Sequence, residues 1–584
     1  MNSTHQVTFN GNRHRSLEGH YGLWLVLLSG SVLLGVLNYS VQVTLGQDLR
    51  IDEKGPNVES PSLPPPISVD VGETTRVSVN SAGQEGNARS GIVSALSADG
   101  RFVAFGSRAS NLVPDDSNGN LYFDTFVHDR QMEATTRVSV NSGGQEGNAG
   151  NCLVVAISAD GRFVAFCSDA SNLVSHDTNG ADDIFVHDRQ EGTTTRVSVD
   201  SGGQEGNAGG SSAPALSADG RFVAFASRAS NLVPHDTNGV NDIFVHDRQT
   251  GTTTRVSVNS AGQEGNARSI SSPDVSADGR FVAFASRASN LVPQDTNGVN
   301  DIFVHDRQTG TTTRVSVNSA GQEGSASDHG ALAISADGLF VAFSSAASNL
   351  VPQDTNGADD IFVHDRQTGT TTRVSVNSAG QEGNAMSGIV SALSVDGRLV
   401  AFGSAASNLV PHDTNGADDI FVHDRQTGTT TRVSVNSAGQ EGNAPIFGHP
   451  ALSADGRFVA FSSAASNLVP HDTNGDIDVF VRDRFPLFTS LKPNLTHPVP
   501  GSTVRNQDIN FKWTSGIGGW NTYRLKVGSY RGGHDLFDSG EITDLNARVT
   551  LPNFGITLFV RLSYRKGSSE WQYTDYEYST PVTQ

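Results

Sequence analysis

Hydrophobic and polar positions recur with one fixed period through most of this chain. The arginine of a T-T-R-V-S-V segment stands at Arg137, Arg196, Arg255, Arg314, Arg373 and Arg432, always 59 residues apart, and once earlier at Arg76. Within the copy at 215–267, R-F-V-A-F follows an S-A-D-G turn signal and is apolar on both parities, which predicts a short strand buried on both faces. D-I-F-V-H-D reads the same way. T-T-R-V-S-V alternates Arg255 and Ser257 with Val256 and Val258, which predicts a strand with one wetter face. Each unit therefore has four strands, here called A (ending in A-L-S), B (R-F-V-A-F), C (D-I-F-V-H-D) and D (T-T-R-V-S-V). No segment of the repeat carries a capped helical stripe, and Gly, Ser, Thr and Asn are too dense for one.

A four-stranded sheet with two apolar faces needs a layer on each side, and identical sheets set radially cover one another. The pattern predicts an all-β fold, a seven-bladed β-propeller. Seven S-x-D-G turns open at Ser97, Ser158, Ser217, Ser276, Ser335, Ser394 and Ser453. The chain meets a D strand first, at 74–79, and stops after a C strand, at 478–483, so the N-terminal strand is expected to complete the last blade and leave no open edge.

These same residues, S-A-D-G-R-F-V-A-F, D-I-F-V-H-D-R-Q-T-G and T-T-R-V-S-V, resemble the WD-repeat-like blade of TolB-type propellers over roughly 74–484. The resemblance implies a fold. Blades of this type serve binding scaffolds, envelope proteins, lyases and the non-catalytic domains of peptidases, so it does not select a function.

Outside the repeats the pattern changes. Residues 1–47 hold a signal peptide or signal anchor: Arg13 and Arg15 precede an apolar stretch at 21–37, which places the remainder outside the cytoplasm, secreted or periplasmic if cleaved and membrane-anchored if not. A Pro-rich spacer at 48–66 leads into the propeller at 67–485. A linker at 486–500 precedes alternating segments at 501–584 that predict a β-sandwich resembling immunoglobulin or fibronectin type III modules, with Trp513, Tyr523, Leu525 and Trp571 as its core.

Charge and composition narrow the partners. A net charge of -21 argues against a phosphate-binding surface, hence against nucleic acid, and leaves a protein or a cell-surface glycan, engaged by a monomer. Lysine is absent from 55 to 491, so positive charge in the repeats is arginine, mostly in the H-D-R and T-T-R positions, and is expected to pair with strand aspartates such as Asp247. The two cysteines, Cys152 and Cys167, stand on strands A and B of one blade. Because Gly106, Ala226 and Ala285 occupy the position of Cys167 elsewhere, they are read as small buried residues in preference to a disulfide.

The one repeated constellation with metal-type chemistry is the B–C loop, D-T-N-G-x-x-D. It supplies Asp177, Asn179, Asp183; Asp236, Asn238, Asp242; Asp295, Asn297, Asp301; Asp354, Asn356, Asp360; Asp413, Asn415, Asp419; and Asp472, Asn474, Asp478. The first copy departs from it, with Asp116, Asn118 and, after an insertion, Asp124. Alternating oxygen donors around a glycine turn suit Ca2+. The same residues also make an Asx-stabilised turn that binds nothing. Glu205, Glu264, Glu323, Glu382 and Glu441 of the D–A loops fall on the same rim and either add ligands or solvate it.

His128, His187, His246, His305, His364 and His423 fill one strand-C position with Arg482 in the seventh, too far apart around a ring to share a metal. No G-x-S-x-G or H-E-x-x-H occurs. No catalytic residue is assigned, and the chain reads as a non-enzymatic extracytoplasmic binding or adhesion scaffold. The alternative is a propeller-type polysaccharide lyase using His329 and His449 in the channel. Only the segments entering strand A differ between blades, from R-S-G-I-V-S-A at 89–95 to P-I-F-G-H-P-A at 445–451, and an asymmetric ligand would be read there.

Overall fold

The computed structural model describes residues 24–28, 31–36, 39–44, 72–209, 212–484, 493, 495–498, 504, 508–513, 520–531, 533–551, 555–566 and 571–580. The spacer and most of the 486–500 linker lie outside the described residues. The chain divides into two compact units, Met1–Ser68 and Val69–Gln584.

In the first unit the apolar stretch is extended: Trp24–Leu28, Ser31–Val36 and Tyr39–Thr44 form an antiparallel meander. No helix among the described residues is long and apolar enough to cross a membrane.

The second unit is all-β and of the β-propeller kind. Five separate four-stranded antiparallel sheets and one eight-stranded sheet carry the repeats. The eight-stranded sheet is two sheets of four joined by a single parallel pair, His449 with Val93. As the offset of the chain ends predicts, Glu73–Arg76 pairs antiparallel with Asp478–Asp483 and completes the last sheet.

Strands B and C are buried on both faces: all six residues of Asp242–Asp247 are buried. Their side chains fill apolar layers between consecutive sheets. Ile243 and Val245 meet Val282, Phe284 and Leu291 of the next repeat, and the last layer joins Val479 and Val481 to Val103 and Phe105 of the first. Each such Val or Phe contributes about 1.5–3 kcal/mol of burial. Within each sheet a phenylalanine of B lies beside one of C, as Phe225 beside Phe244 at 5.9 Å between centroids.

The S-A-D-G turn is closed by its own side chains. Ser217 Oγ donates to Asp219 Oδ1 and accepts from the Phe222 amide, while Asp219 Oδ1 accepts from the Arg221 amide. Gly220 holds φ +71°, and a Cβ there would come within 2.4 Å of Phe163 in the preceding sheet. The turns also link sheet to sheet: Ala98 N donates to Ala159 O, Ala159 N to Ala218 O, and the series returns when Ala454 N donates to Ala98 O.

Several expectations need correction. Strand D is shorter than its sequence pattern, Thr252–Arg255 in the third copy, and its polar face is not wet: Ser257 is fully buried and Arg255 nearly so. Polar residues alternate there because a buried polar cluster receives them. Asp247 pairs with Arg221, which grips it through Nε at 2.8 Å and Nη2 at 2.7 Å, and the T-T-R arginine goes elsewhere.

Cys152 and Cys167 form a disulfide, Cα to Cα 5.2 Å. A regular hairpin from the Asp160-Gly161 turn pairs Phe166 with Val155 and would put Val154 opposite Cys167. The register then shifts by two residues, so Asn151 pairs with Ser168 and Cys152 comes across from Cys167.

At the C-terminal end, Leu495–His497, Asp508–Trp513 and Asn546–Thr550 form one sheet, and Phe537–Asp538, Thr522–Gly528, Thr557–Arg565 and Gln572–Ser579 another. They share a core of Trp513, Tyr523, Leu525, Tyr564 and Tyr578. Trp571 is not in it: it is half-buried just before the last strand with the Arg565 guanidinium over its ring.

Candidate functional site: rim clusters and central channel

The D-T-N-G loop begins with a backbone reversal. His235 adopts φ +64° and Gly239 φ +65°, which turns the His235 carbonyl and the Asp236 carboxylate toward the end of strand D. Arg255 meets them. Its Nη1 lies 2.8 Å from Glu264 Oε2, 3.5 Å from Asp242 Oδ2 and 3.6 Å from Asp236 Oδ1, and its Nη2 donates to His235 O at 3.2 Å.

The cluster recurs seven times, around Arg76, Arg137, Arg196, Arg255, Arg314, Arg373 and Arg432. The first copy joins despite its insertion, with Asp116, Asp124 and Glu146 around Arg137. The last is assembled across the chain ends, Arg76 and Glu85 meeting Asp472 and Asp478. Glu85 and Glu146 take the same place against their arginines as the five later glutamates; the G-Q-E-G-N-A pattern around each was the signal for them.

The carboxylates of each cluster converge as a cation site would require, and a guanidinium nitrogen occupies their focus. The asparagines do not face it with oxygen. Asn179, Asn238, Asn297, Asn356, Asn415 and Asn474 turn Oδ1 to the amide two residues on, the Asx turn, and set Nδ2 against the strand aspartate, 2.8–3.2 Å away. A calcium ion at this point requires the arginine to leave and the asparagine to turn over.

Burial and the neighbouring Asp242 push Asp236 up to about 6, and burial and Asp301 do the same to Asp295. Glu264 goes the other way. Against the upward push of burial, the Thr237 hydroxyl and amide and the Arg255 charge hold it below the usual glutamate range.

The strand-C histidines are interlocks between sheets. Thr253 Oγ1 donates its one proton to Val199 O of the preceding repeat, so His246 Nδ1, 2.9 Å from Thr253 Oγ1, is the donor to that hydroxyl. Arg482 substitutes in the seventh position as another donor, Nη1 to Thr74 Oγ1 at 3.0 Å. Burial pushes His128, His305 and His423 down to about 4, which keeps them neutral.

The A strands wall a central cavity of about 310 Å³. Its lining is aliphatic or small, with Asp274 and His449 its two titratable residues. The side chain of His329 lies outside the described residues.

No protein-family model matches the chain and no curated protein is similar to it. Among solved structures it is similar to a protein assigned as TolB from Agrobacterium tumefaciens, at 17% identity and a TM-score of 0.31 over 48% of this chain and 79% of that one. It is also similar to prolyl oligopeptidase B from Galerina marginata (12%, TM-score 0.39, 82% of this chain and 56% of that one) and to a periplasmic gluconolactonase from Pseudomonas aeruginosa (16%, TM-score 0.30, 62% and 92%). The chain thus spans little more than half the length of that peptidase.

Proposed function

We propose that this chain is an exported, non-enzymatic binding scaffold: a closed seven-bladed ring, followed by a sandwich of the immunoglobulin or fibronectin type III kind, presenting the variable A-strand segments to a protein or a cell-surface glycan. The observation that carries the reading is where the polar chemistry goes. The repeated arginines, aspartates, glutamates, histidines and threonines are bound to one another, and the differences between blades collect on the innermost strands. A rigid ring of this kind loses little entropy on binding. The disulfide and the Arg13, Arg15 and 21–37 signal support an extracytoplasmic location. In this reading arginine supplies the cation at each rim cluster, and chelator leaves the melting temperature unchanged. A marked rise in calcium would put the ion back.

The test exchanges 327–333 and 445–451 for the R-S-G-I-V-S-A sequence of 89–95 and compares binding to arrayed glycans and to purified envelope proteins. Lost binding at an unchanged melting temperature is expected. Undiminished binding, or depolymerisation of a bound polysaccharide by the wild-type chain, overturns the reading.

A further inference from the structure

Two residues before each S-x-D-G turn, the A strands carry Ala95, Ala156, Ala215, Asp274, Ala333, Ala392 and Ala451. All line the central cavity, so one carboxylate interrupts a belt of six alanines. Its orientation is fixed. Oδ1 accepts from the Val275 amide and Oδ2 from the Ile334 amide of the adjacent A strand, each at 2.8 Å. Both bonds use main-chain donors; no lysine or arginine lines the cavity, and His449 is its one other titratable residue.

A carboxylate in such a lining costs several kcal/mol unless it is protonated or paired. Burial pushes Asp274 up to about 6 against the two amide hydrogen bonds. The other six blades show that the fold accepts alanine at this position, so the fold does not require the charge.

We propose that the central channel is a binding site for a small organic ammonium ion, its charged head on the Asp274 carboxylate and its apolar body against the alanine, leucine and proline side chains of the other A strands. The volume suits a ligand of a few to a dozen heavy atoms, and the net charge of -21 favours the approach of cations. This deepens the scaffold reading and rests on it, by naming one chemistry that the variable segments select.

The experiment is calorimetric titration of the full chain with n-hexylammonium at neutral pH, with 1-hexanol as the uncharged probe of the same length. Saturable one-to-one binding of the ammonium ion is expected, with little from the alcohol. D274A, which restores the residue of the other six blades, is expected to weaken it at least about tenfold, and D274N, which keeps the size and an acceptor oxygen, by a similar factor. Should D274A melt early, D274N decides alone. Equal binding by the variants, equal binding of the alcohol, or no heat with the wild type overturns the site. None of these touches the scaffold reading, which fails if the segment exchange leaves macromolecular binding intact or the wild-type chain depolymerises a bound polysaccharide.

Discussion

At the rim, Arg255 closes on Asp236, Asp242 and Glu264, and one repeat later Arg314 closes on Asp295, Asp301 and Glu323 with the same atoms, at 3.6, 3.5 and 2.8 Å in the first and 3.6, 3.1 and 2.7 Å in the second. In the channel the corresponding pair of repeats places Asp274 beside Ala333. The rim spends its charges on holding loop to strand, and any change there is copied against an intact neighbour. The channel carries a charge at a position where six other repeats have alanine. Residues that repeat are thereby marked as architecture, and a polar residue that breaks the repeat is marked as either a defect or a function.

The sharpest way to break this comparison is at a rim arginine. Arg255→Gln leaves three carboxylates facing one another with only an amide between them, and removing one partner of a buried ionic cluster costs about 3–5 kcal/mol. The expected result is a lowered unfolding midpoint in urea, partly restored by adding Asp236→Asn. A midpoint unchanged in Arg255→Gln would show that the rim carboxylates are held by something other than the guanidinium.

The disulfide separates the two regions differently, since it lies between an A strand and a B strand of one blade. Cys152→Ala with Cys167→Ala substitutes residue types that other blades use at the second position. For a separation of 15 residues, loss of the cross-link is expected to cost about 2–3 kcal/mol, seen as a lower melting temperature that reductant reproduces in the wild type and leaves unchanged in the variant.

How much of this was legible in the sequence follows from what each pattern reports. R-F-V-A-F and D-I-F-V-H-D announce burial on both faces because apolar residues sit on both parities, and ring closure followed from a D strand at one end and a C strand at the other. The alternation of T-T-R-V-S-V was visible, but alternation records polarity and not wetness, so Arg255 and Ser257 looked exposed when they enter a dry cluster. The cysteine pairing was hidden because a two-residue shift in register leaves no mark in the spacing of Cys152 and Cys167. The D-T-N-G loop showed its donors without showing which way Asn238 turns, and the arginine that fills the site comes from a different strand. Asp274 stood in a segment already singled out as variable. Its significance appears only when the A strands are aligned around one cavity.

Asp328 tests whether every polar break in the repeat is functional. It begins an A strand where Ser90, Ser269 and Ser387 stand in other repeats, lies opposite Ser345, and is buried. Around it are Ser345, Ser316, the Ile302 backbone and Asp301. Burial, against the opposing effect of Ser345, raises its carboxyl well above the usual range, and Asp301 adds to the rise. Unlike Asp274, it lines no cavity among those described, so it is expected to be a cost without a ligand. For a carboxyl whose folded pKa is raised, the folded state binds the proton more tightly, so its contribution is most favourable below the unfolded value and is lost as pH rises. Asp328→Ser should therefore stabilise by about 1–3 kcal/mol at about pH 8 and by less at about pH 4. The histidines supply a background of opposite sign. His128, His305 and His423, pushed down to about 4, withdraw stability as pH falls from about 6.5 toward 4, equally in both proteins. The difference between the two melting curves thus isolates the aspartate. A Asp328→Ser protein less stable than the wild type at about pH 8 would mean that this second break in the repeat is also paired, and that the channel is not the ring's one departure with a purpose.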